Sequence, residues 1–382
     1  SRRDENGGVD EETMARARVL TPRERVQYRA AQALGALPPK LQVRLSGKPL
    51  VTIEGDTLAP AMQLSLAVLE RRNLPPLETL SPEAARAERR RLAAIYAGRP
   101  VEVGAVRDLQ LEAATGQLAA RHYAPAERGE ALPLLVYYHG GGFTYGDLET
   151  HDGVCRRLCK HSGAHVLAID YRLAPEHPFP AAVEDARAAL RWAIERAGEL
   201  GADAARVGVG GDRAGGNLAA VVAQLAARDG GPAPALQLLI YPVTDFTRAT
   251  GRSRELFGEG FLLTTPEMNW FDANYLEGSG ASREDPRVSP LYGEDLSDLA
   301  PAIVVTAALD PLRDEGEAYG EAMRAAGTPV TLRRFEGFIH AFVNLGGVNP
   351  ACREAVAEIA GMTRATFANA PARDHSPALR AS

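Results

Sequence analysis

The chain has 382 residues, of which 45% are hydrophobic and 24% charged, a composition that excludes a disordered or fibrous protein. Its net charge of −6 provides no basic excess for phosphate contacts, so nucleic acid is not an expected partner. The three cysteines are too few for a disulfide framework, and no stretch approaches the ~20 apolar residues of a membrane span, so we expect a soluble, cytoplasmic protein.

The first hundred residues have the pattern of amphipathic helices. Thr21 is placed to cap a helix that runs to about Leu37, where two prolines interrupt it. A second helix fits Leu58 to Arg72, and the order Ser81-Pro82-Glu83 is typical of a helix start. We therefore predict a helical N-terminal region.

From about Val101 onward, short apolar runs alternate with helical segments. Val106–Ala114 and Gln117–Tyr123 predict an antiparallel hairpin. The later apolar runs are Leu132–Tyr138, Ala164–Tyr171, Arg206–Gly210, Leu236–Val243, Ala302–Leu309 and Val330–Phe335. The helical segments include Ala181–Leu200, Ala214–Arg228, Asp314–Ala326 and Ala351–Thr366. This alternation predicts an α/β fold in which helices cover both faces of a mostly parallel sheet.

One long stretch, between Asp245 and Leu299, interrupts this alternation. Pro266–Leu276 predicts one helix in it, and the rest has no regular pattern. Because loops at the C-terminal edge of a sheet commonly carry function, this insertion is a candidate lid or pocket wall.

Three consecutive glycines, Gly140-Gly141-Gly142, follow His139 directly after the apolar run that ends at Tyr138. Glycines let the backbone turn so that several N–H groups point the same way, close to a ligand. Such N–H groups form an oxyanion hole, which stabilises the negative charge of a tetrahedral intermediate. A flexible glycine-rich loop without chemistry is the alternative.

The apolar run Arg206–Gly210 leads into Gly211-Asp212-Arg213-Ala214-Gly215 and then into a helix. Glycines two positions before and after a central residue, between a strand and a helix, are typical of a nucleophile elbow, whose central residue is normally serine. The tight turn exposes the central side chain above the sheet, and the N–H of the next residue, Ala214, joins the oxyanion hole. Here the central residue is Arg213.

Two further polar residues, Asp310 and His340, each follow an apolar run near the C-terminus. The order elbow, acid, histidine is that of α/β-hydrolase triads, in which the acid orients the imidazole and the imidazole moves the proton. Taken singly, His340 could be a core histidine and Asp310 a carboxylate at a helix start. Their joint order favours a catalytic pair.

These motifs resemble those of the hormone-sensitive-lipase-like esterases, the microbial carboxylesterases with an HGGG loop. The matching stretches are Tyr138–Phe143, Asp170–Ala181, Gly210–Ala219, Asp310–Gly316 and Gly337–Phe342. The resemblance implies an α/β-hydrolase fold with an eight-stranded, mostly parallel sheet and a helical cap. It also implies that Asp310 is the acid, that His340 is the base, and that the oxyanion hole is formed by Gly140, Gly141 and Ala214.

The same resemblance predicts the domain organisation and the partners. We expect an N-terminal helical extension at residues 1–48, a cap segment at 49–100 and a catalytic domain at 101–382, with 245–299 contributing to the cap. Small esters of short to medium acyl chains, and their carboxylate products, are the expected ligands. No metal or organic cofactor is implied, and a homodimer is a possible assembly.

Arg213 departs from the family pattern, which has serine at this position. A guanidinium stays protonated and cannot attack a carbonyl, so we predict that the chain is inactive as a hydrolase. We also expect Arg213 to fill the space of the scissile ester, to disfavour protonation of His340 and to hold a small carboxylate. The chain is either an esterase with a substituted nucleophile, which the retained motifs favour, or a non-catalytic small-molecule-binding relative, comparable in scaffold to the plant gibberellin receptors.

Overall fold

The structure, a computed structural model, describes residues 20–113, 116–127, 131–249 and 251–370. The predictions for residues 1–19, for the hairpin turn at Thr115 and for residues 371–382 lie outside the described residues. Within those four ranges, no helix is long and apolar enough to cross a membrane.

A central sheet of eight strands follows a two-stranded ribbon made of β1 (Thr52–Ile53) and β2 (Asp56–Thr57). The strands of the central sheet are β3 (Ala105–Ala113), β4 (Gly116–Ala124), β5 (Leu132–Tyr138), β6 (His165–Ile169), β7 (Ala202–Asp212), β8 (Gln237–Ile240), β9 (Ala302–Leu309) and β10 (Val330–Ile339). Their spatial order is β10-β9-β8-β7-β5-β6-β4-β3. Only the pairings of β4 with β3 and with β6 are antiparallel, so the predicted mostly parallel sheet is confirmed.

Eleven α-helices are present in the described part of the chain. They are α1 (Pro22–Gly35), α2 (Pro39–Ser46), α3 (Pro60–Arg71), α4 (Pro82–Ala97), α5 (Leu148–Ser162), α6 (Ala181–Glu195), α7 (Ala214–Arg228), α8 (Ser253–Phe257), α9 (Thr265–Leu276), α10 (Arg313–Ala325) and α11 (Pro350–Asn369). Helices α6, α7 and α10 contribute to the core on one face of the sheet, and α5 and α11 to the core on the other. The inner strands β6, β8 and β9 are buried at every position because both faces of the sheet are covered, whereas the edge strands β3 and β10 carry charged residues.

The N-terminal region is helical as predicted, but it contains one helix more than the sequence pattern indicated. Thr21 caps α1 in a capping box with Glu24, and Ser81 caps α4. We interpreted the two prolines after Leu37 as an interruption only, whereas Pro39 is the first residue of α2. Proline is favoured there because the N–H it lacks would have no partner in the first turn of a helix. The insertion likewise contains the short helix α8 in addition to the expected α9.

Helix α4 lies against the loops that follow β5 and β6. The Arg86 guanidinium donates from Nε to the Thr144 carbonyl oxygen over 2.8 Å and from Nη2 to the Ala174 carbonyl oxygen over 2.9 Å. Arg86 also pairs with Glu176. These contacts place an N-terminal helix over the end of the sheet where the glycine loop lies, while the proposed division into extension, cap and catalytic domain stays a prediction.

One buried amide of the elbow helix α7 bonds both the insertion and the segment that precedes it. Asn217 Nδ2 donates to the carbonyl oxygens of Val243 and Val288, each over 2.8 Å. Val243 precedes the insertion and Val288 lies inside it, so a single side chain holds both segments against α7. Asn217 is completely buried.

We expect Asn217→Ala to lower the free energy of unfolding by about 2–4 kcal/mol, because the buried Val288 carbonyl oxygen and the partly buried Val243 carbonyl oxygen lose their donor. Chemical denaturation followed by circular dichroism measures the change. The matched control is Asn369→Ala, which removes an exposed amide at the end of α11 and should change stability by less than about 0.5 kcal/mol. Equal stability of the two variants would contradict the anchoring role of Asn217.

Candidate active site

The turn between β7 and α7 has the geometry of the predicted elbow. Arg213 has φ 55° and ψ −116°, a sparsely populated positive-φ conformation that costs a non-glycine residue about 1–3 kcal/mol. A Cβ atom on Gly211 or Gly215 would overlap the Tyr138 carbonyl oxygen of the neighbouring strand. Both positions therefore require glycine, because helix and strand approach each other too closely for a side chain.

The Arg213 side chain lies at the floor of the space above the sheet and is mostly buried. Its Nη1 donates to the Tyr145 hydroxyl over 2.8 Å, and its Nε lies 3.5 Å from Asp212 Oδ2. Burial by itself lowers the pKa of Arg213, but Tyr145 and Asp212 outweigh it and hold the pKa above its ordinary value. Position 213 therefore carries a permanent positive charge.

Asp310 and His340 form the predicted pair. Asp310 follows β9 and His340 follows β10, and His340 Nδ1 lies 2.7 Å from Asp310 Oδ2. The other carboxylate oxygen of Asp310 accepts from the Leu312 N–H over 2.8 Å, which fixes the orientation of the acid. His340 Nε2 is buried. The imidazole of His340 is thus oriented by Asp310, and its Nε2 atom has no hydrogen-bond partner among the described residues.

The glycine loop differs from the prediction at its first glycine. The Gly140 N–H donates to Asp212 Oδ1 over 3.0 Å, so it is already engaged and cannot serve as an oxyanion donor. The N–H groups of Gly141, Gly142 and Ala214 donate to no atom in the described part of the chain. Gly140 is therefore replaced by Gly142 in the candidate set, because each backbone N–H has a single proton to donate.

The buried carboxylate of Asp212 bonds groups from several of these segments. From the sequence, Asp212 was only the neighbour of the nucleophile position. Besides the Gly140 N–H, Asp212 accepts from the Tyr137 hydroxyl over 2.8 Å, and His151 Nε2 lies 3.2 Å away. Burial by itself raises the pKa of Asp212, but His151, Arg213 and Tyr137 outweigh it and place the pKa well below its ordinary value. As expected from the elbow geometry, Asp212 does not line the cavities beside Arg213.

Two cavities meet at Arg213, and they share His340, Leu263 and Phe271. The first chamber, a space of about 520 Å³ that includes its open mouth, is lined mainly by apolar side chains, namely Phe143, Phe246, Leu263, Met268, Phe271 and Leu312. The second chamber is lined partly by Leu69, Leu92 and Tyr96 of the N-terminal helices.

Several residues around these chambers carry no motif in the sequence. Tyr145, the partner of Arg213, lies two positions after the glycine-loop motif, and Phe271 was visible only as part of the predicted helix in the insertion. Neither has a local pattern that marks a functional residue.

Among the described residues, no three histidine, cysteine or acidic side chains come together in a way that could hold a metal ion.

Comparison with known proteins agrees with this geometry. The alpha/beta hydrolase fold family matches residues 135–344. The carboxylic ester hydrolase LipN of Mycobacterium tuberculosis is 51% identical over 315 residues, which cover 81% of this chain and 83% of the relative. The ethyl acetate hydrolase of Pseudomonas putida is 40% identical over 295 residues, covering 76% of this chain and 92% of that protein.

Solved structures give the same result. An ester hydrolase from the metagenome of Lake Arreo, complexed with a derivative of bipyridine phosphonate, superposes with a TM-score of 0.79 at 40% sequence identity and covers 82% of this chain and 100% of its own. The esterase of Pyrobaculum calidifontis superposes with a TM-score of 0.76, also at 40% identity, and covers 81% of this chain and 98% of its own. These relatives and neighbours are carboxylesterases. The chain therefore belongs to the alpha/beta hydrolase fold family, within its group of bacterial esterases that resemble hormone-sensitive lipase.

Proposed function

We propose that this chain is a carboxylesterase scaffold in which Arg213 has abolished ester hydrolysis. The observation that carries the proposal is the His340–Asp310 pair, whose buried Nε2 has no partner and lines the same cavities as Arg213. An esterase needs a nucleophile that gives its proton to that nitrogen. A guanidinium has no nucleophilic lone pair at any accessible pH, so the chain as it stands lacks the first chemical step.

With serine at position 213, the remaining groups supply each later step. His340 Nε2 takes the hydroxyl proton as the serine oxygen attacks the ester carbonyl, and Asp310 stabilises the imidazolium that forms. The free N–H groups of Gly141, Gly142 and Ala214 stabilise the oxyanion. His340 then protonates the departing alcohol, and water releases the acyl group by the reverse sequence. The phosphonate carried by the Lake Arreo ester hydrolase supports this, because a phosphonate has the tetrahedral shape of the intermediate.

A second candidate function is non-catalytic binding of a small molecule. It is favoured by the two chambers, which persist around Arg213 although its side chain occupies the nucleophile position. A scaffold with an intact cavity and no nucleophile can retain a ligand without converting it.

We expect Arg213→Ser to raise kcat/KM for p-nitrophenyl butyrate at least about 10³-fold over the unmodified chain, because loss of the serine from a triad costs up to about a millionfold in turnover. Release of p-nitrophenol from the acetate, butyrate and octanoate esters measures the rate and the preferred acyl length. The matched control is Arg213→Ala, which frees the same space without supplying a nucleophile and should stay near the unmodified rate. A folded Arg213→Ser that is inert, or rapid turnover by the unmodified chain, would contradict the proposal.

The buried Asp212 carboxylate predicts a pH dependence of stability. Because its pKa is lower in the folded than in the unfolded chain, its charge stabilises the fold above pH ~4, and this contribution is lost as the pH falls through the folded-state pKa. We expect Asp212→Asn to cost about 2 kcal/mol or more at pH 7 and to flatten the decline in stability below pH ~5. Denaturation curves between pH 7 and 3 measure this, with Asp203→Asn, at a partly exposed carboxylate paired with Arg206, as the control. An unchanged slope in Asp212→Asn would be evidence against it.

A further inference from the structure

The Nη2 group of the Arg213 side chain has no hydrogen-bond acceptor among the described residues. Its Nη1 is bonded to Tyr145, and its Nε faces Asp212 at 3.5 Å without forming a hydrogen bond. Asp212 itself serves Tyr137, Gly140 and His151 as well, so it is a shared counter-ion for Arg213.

The other two arginines that line the first chamber form ion pairs with carboxylates. Arg254 pairs with the buried Glu315, and Arg248 pairs with Asp272. Among the arginines that line this chamber, Arg213 is the one whose guanidinium makes no hydrogen bond to a carboxylate of the described residues. Two groups beside it are also unused: the backbone N–H of Gly142 and of Ala214. Three unpaired donors around one charged side chain are suited to the two oxygens of a carboxylate.

A second, independent feature points to a ligand at the same place. His340 is almost completely buried, and its Nε2 has no partner although the residue lines both chambers. A buried polar atom without a partner is costly in a folded protein unless a ligand or water satisfies it. The donors and this nitrogen thus lie around a common space that a polar group of a ligand can occupy.

Apart from Asp245, Asp272 and the two paired arginines, the remaining wall of the chamber is apolar. Phe143, Phe246, Met268 and Phe271 are the large apolar side chains of this wall. Inorganic phosphate or acetate would leave this wall without a contact. A ligand that has one anionic end and an apolar chain matches both parts of the chamber, because burial of each CH₂ group adds favourable free energy.

We propose that the first chamber binds a carboxylic acid with an apolar chain of medium length. Its carboxylate lies against Arg213 and the N–H groups of Gly142 and Ala214, and its chain lies among the aromatic side chains. This inference rests on the proposed function in one respect: the loss of hydrolysis at Arg213 converts a site that turns over esters into one that retains the free acid.

The test is isothermal titration calorimetry of the unmodified chain with acetate, butyrate, hexanoate and octanoate, and with neutral octanamide. Affinity should rise about fourfold for each added CH₂ group until the chamber is full. Octanamide, which has the same chain without the charge, should bind at least about tenfold more weakly than octanoate. Acetate that binds as tightly as octanoate, or octanamide that binds as tightly as octanoate, overturns the proposal.

Variants at position 213 test whether the charge of Arg213 binds the carboxylate. Arg213→Gln keeps most of the side-chain length, removes the charge and should weaken octanoate at least about tenfold while changing octanamide less than about threefold. The matched control is Arg187→Gln, which removes an exposed arginine paired with Asp229 outside both chambers and should leave octanoate binding unchanged. Equal octanoate binding by Arg213→Gln and the unmodified chain overturns the assignment. If Arg213→Gln does not fold, the comparison of octanoate with octanamide decides alone.

The binding and the turnover experiments separate the two proposals. Octanoate binding by the unmodified chain together with an inert, folded Arg213→Ser would refute the esterase proposal and leave the acid-binding site standing. Restored hydrolysis in Arg213→Ser without saturable binding of octanoate to the unmodified chain at millimolar concentration would refute the acid-binding site alone.

Discussion

The buried carboxylate of Asp212 connects the strand that carries the elbow with the loop that carries the free amides. It accepts hydrogen bonds from Tyr137 and from the Gly140 N–H, and it lies close to His151 and Arg213. An ionised carboxylate in a protein interior is tolerated only when such partners replace water. The donors therefore stabilise Asp212, and Asp212 in turn holds the glycine loop at a fixed distance from the turn at position 213.

This arrangement explains how a large cation can occupy a position built for a small nucleophile. The elbow already imposes a positive φ at Arg213, and the glycines on either side avoid the steric overlap that side chains would cause in so tight a turn. The charge then lies next to an anion that the fold contains in any case, and the side chain extends to Tyr145 across the cavity floor. In the functions proposed above, arginine at this position replaces attack on a carbonyl by attraction of an anion.

The sequence predictions agree with the structure where a feature depends on neighbouring residues, and they fail where it depends on residues far apart in the chain. The alternation of strands and helices, the cap of α1 at Thr21 and the glycine spacing of the elbow depend on neighbouring residues, and these predictions are confirmed. Helix α2 is an exception, and it was missed because the two prolines were interpreted only as an interruption, although proline is also favoured at the first position of a helix. Gly140 was predicted to be an oxyanion-hole donor, and its hydrogen bond to Asp212 was missed because Asp212 lies 72 residues away in the chain.

By itself, the sequence determined the α/β class, the order of elbow, acid and histidine, and the presence of arginine where the family pattern has serine. These are local patterns, since glycine spacing and apolar periodicity act over a few residues. Only the tertiary structure decided which backbone N–H groups remain free, how Arg213 is paired, and that α4 and α9 enclose two chambers around it. Those properties depend on distances between segments that the chain brings together from far apart, and no local pattern encodes such distances.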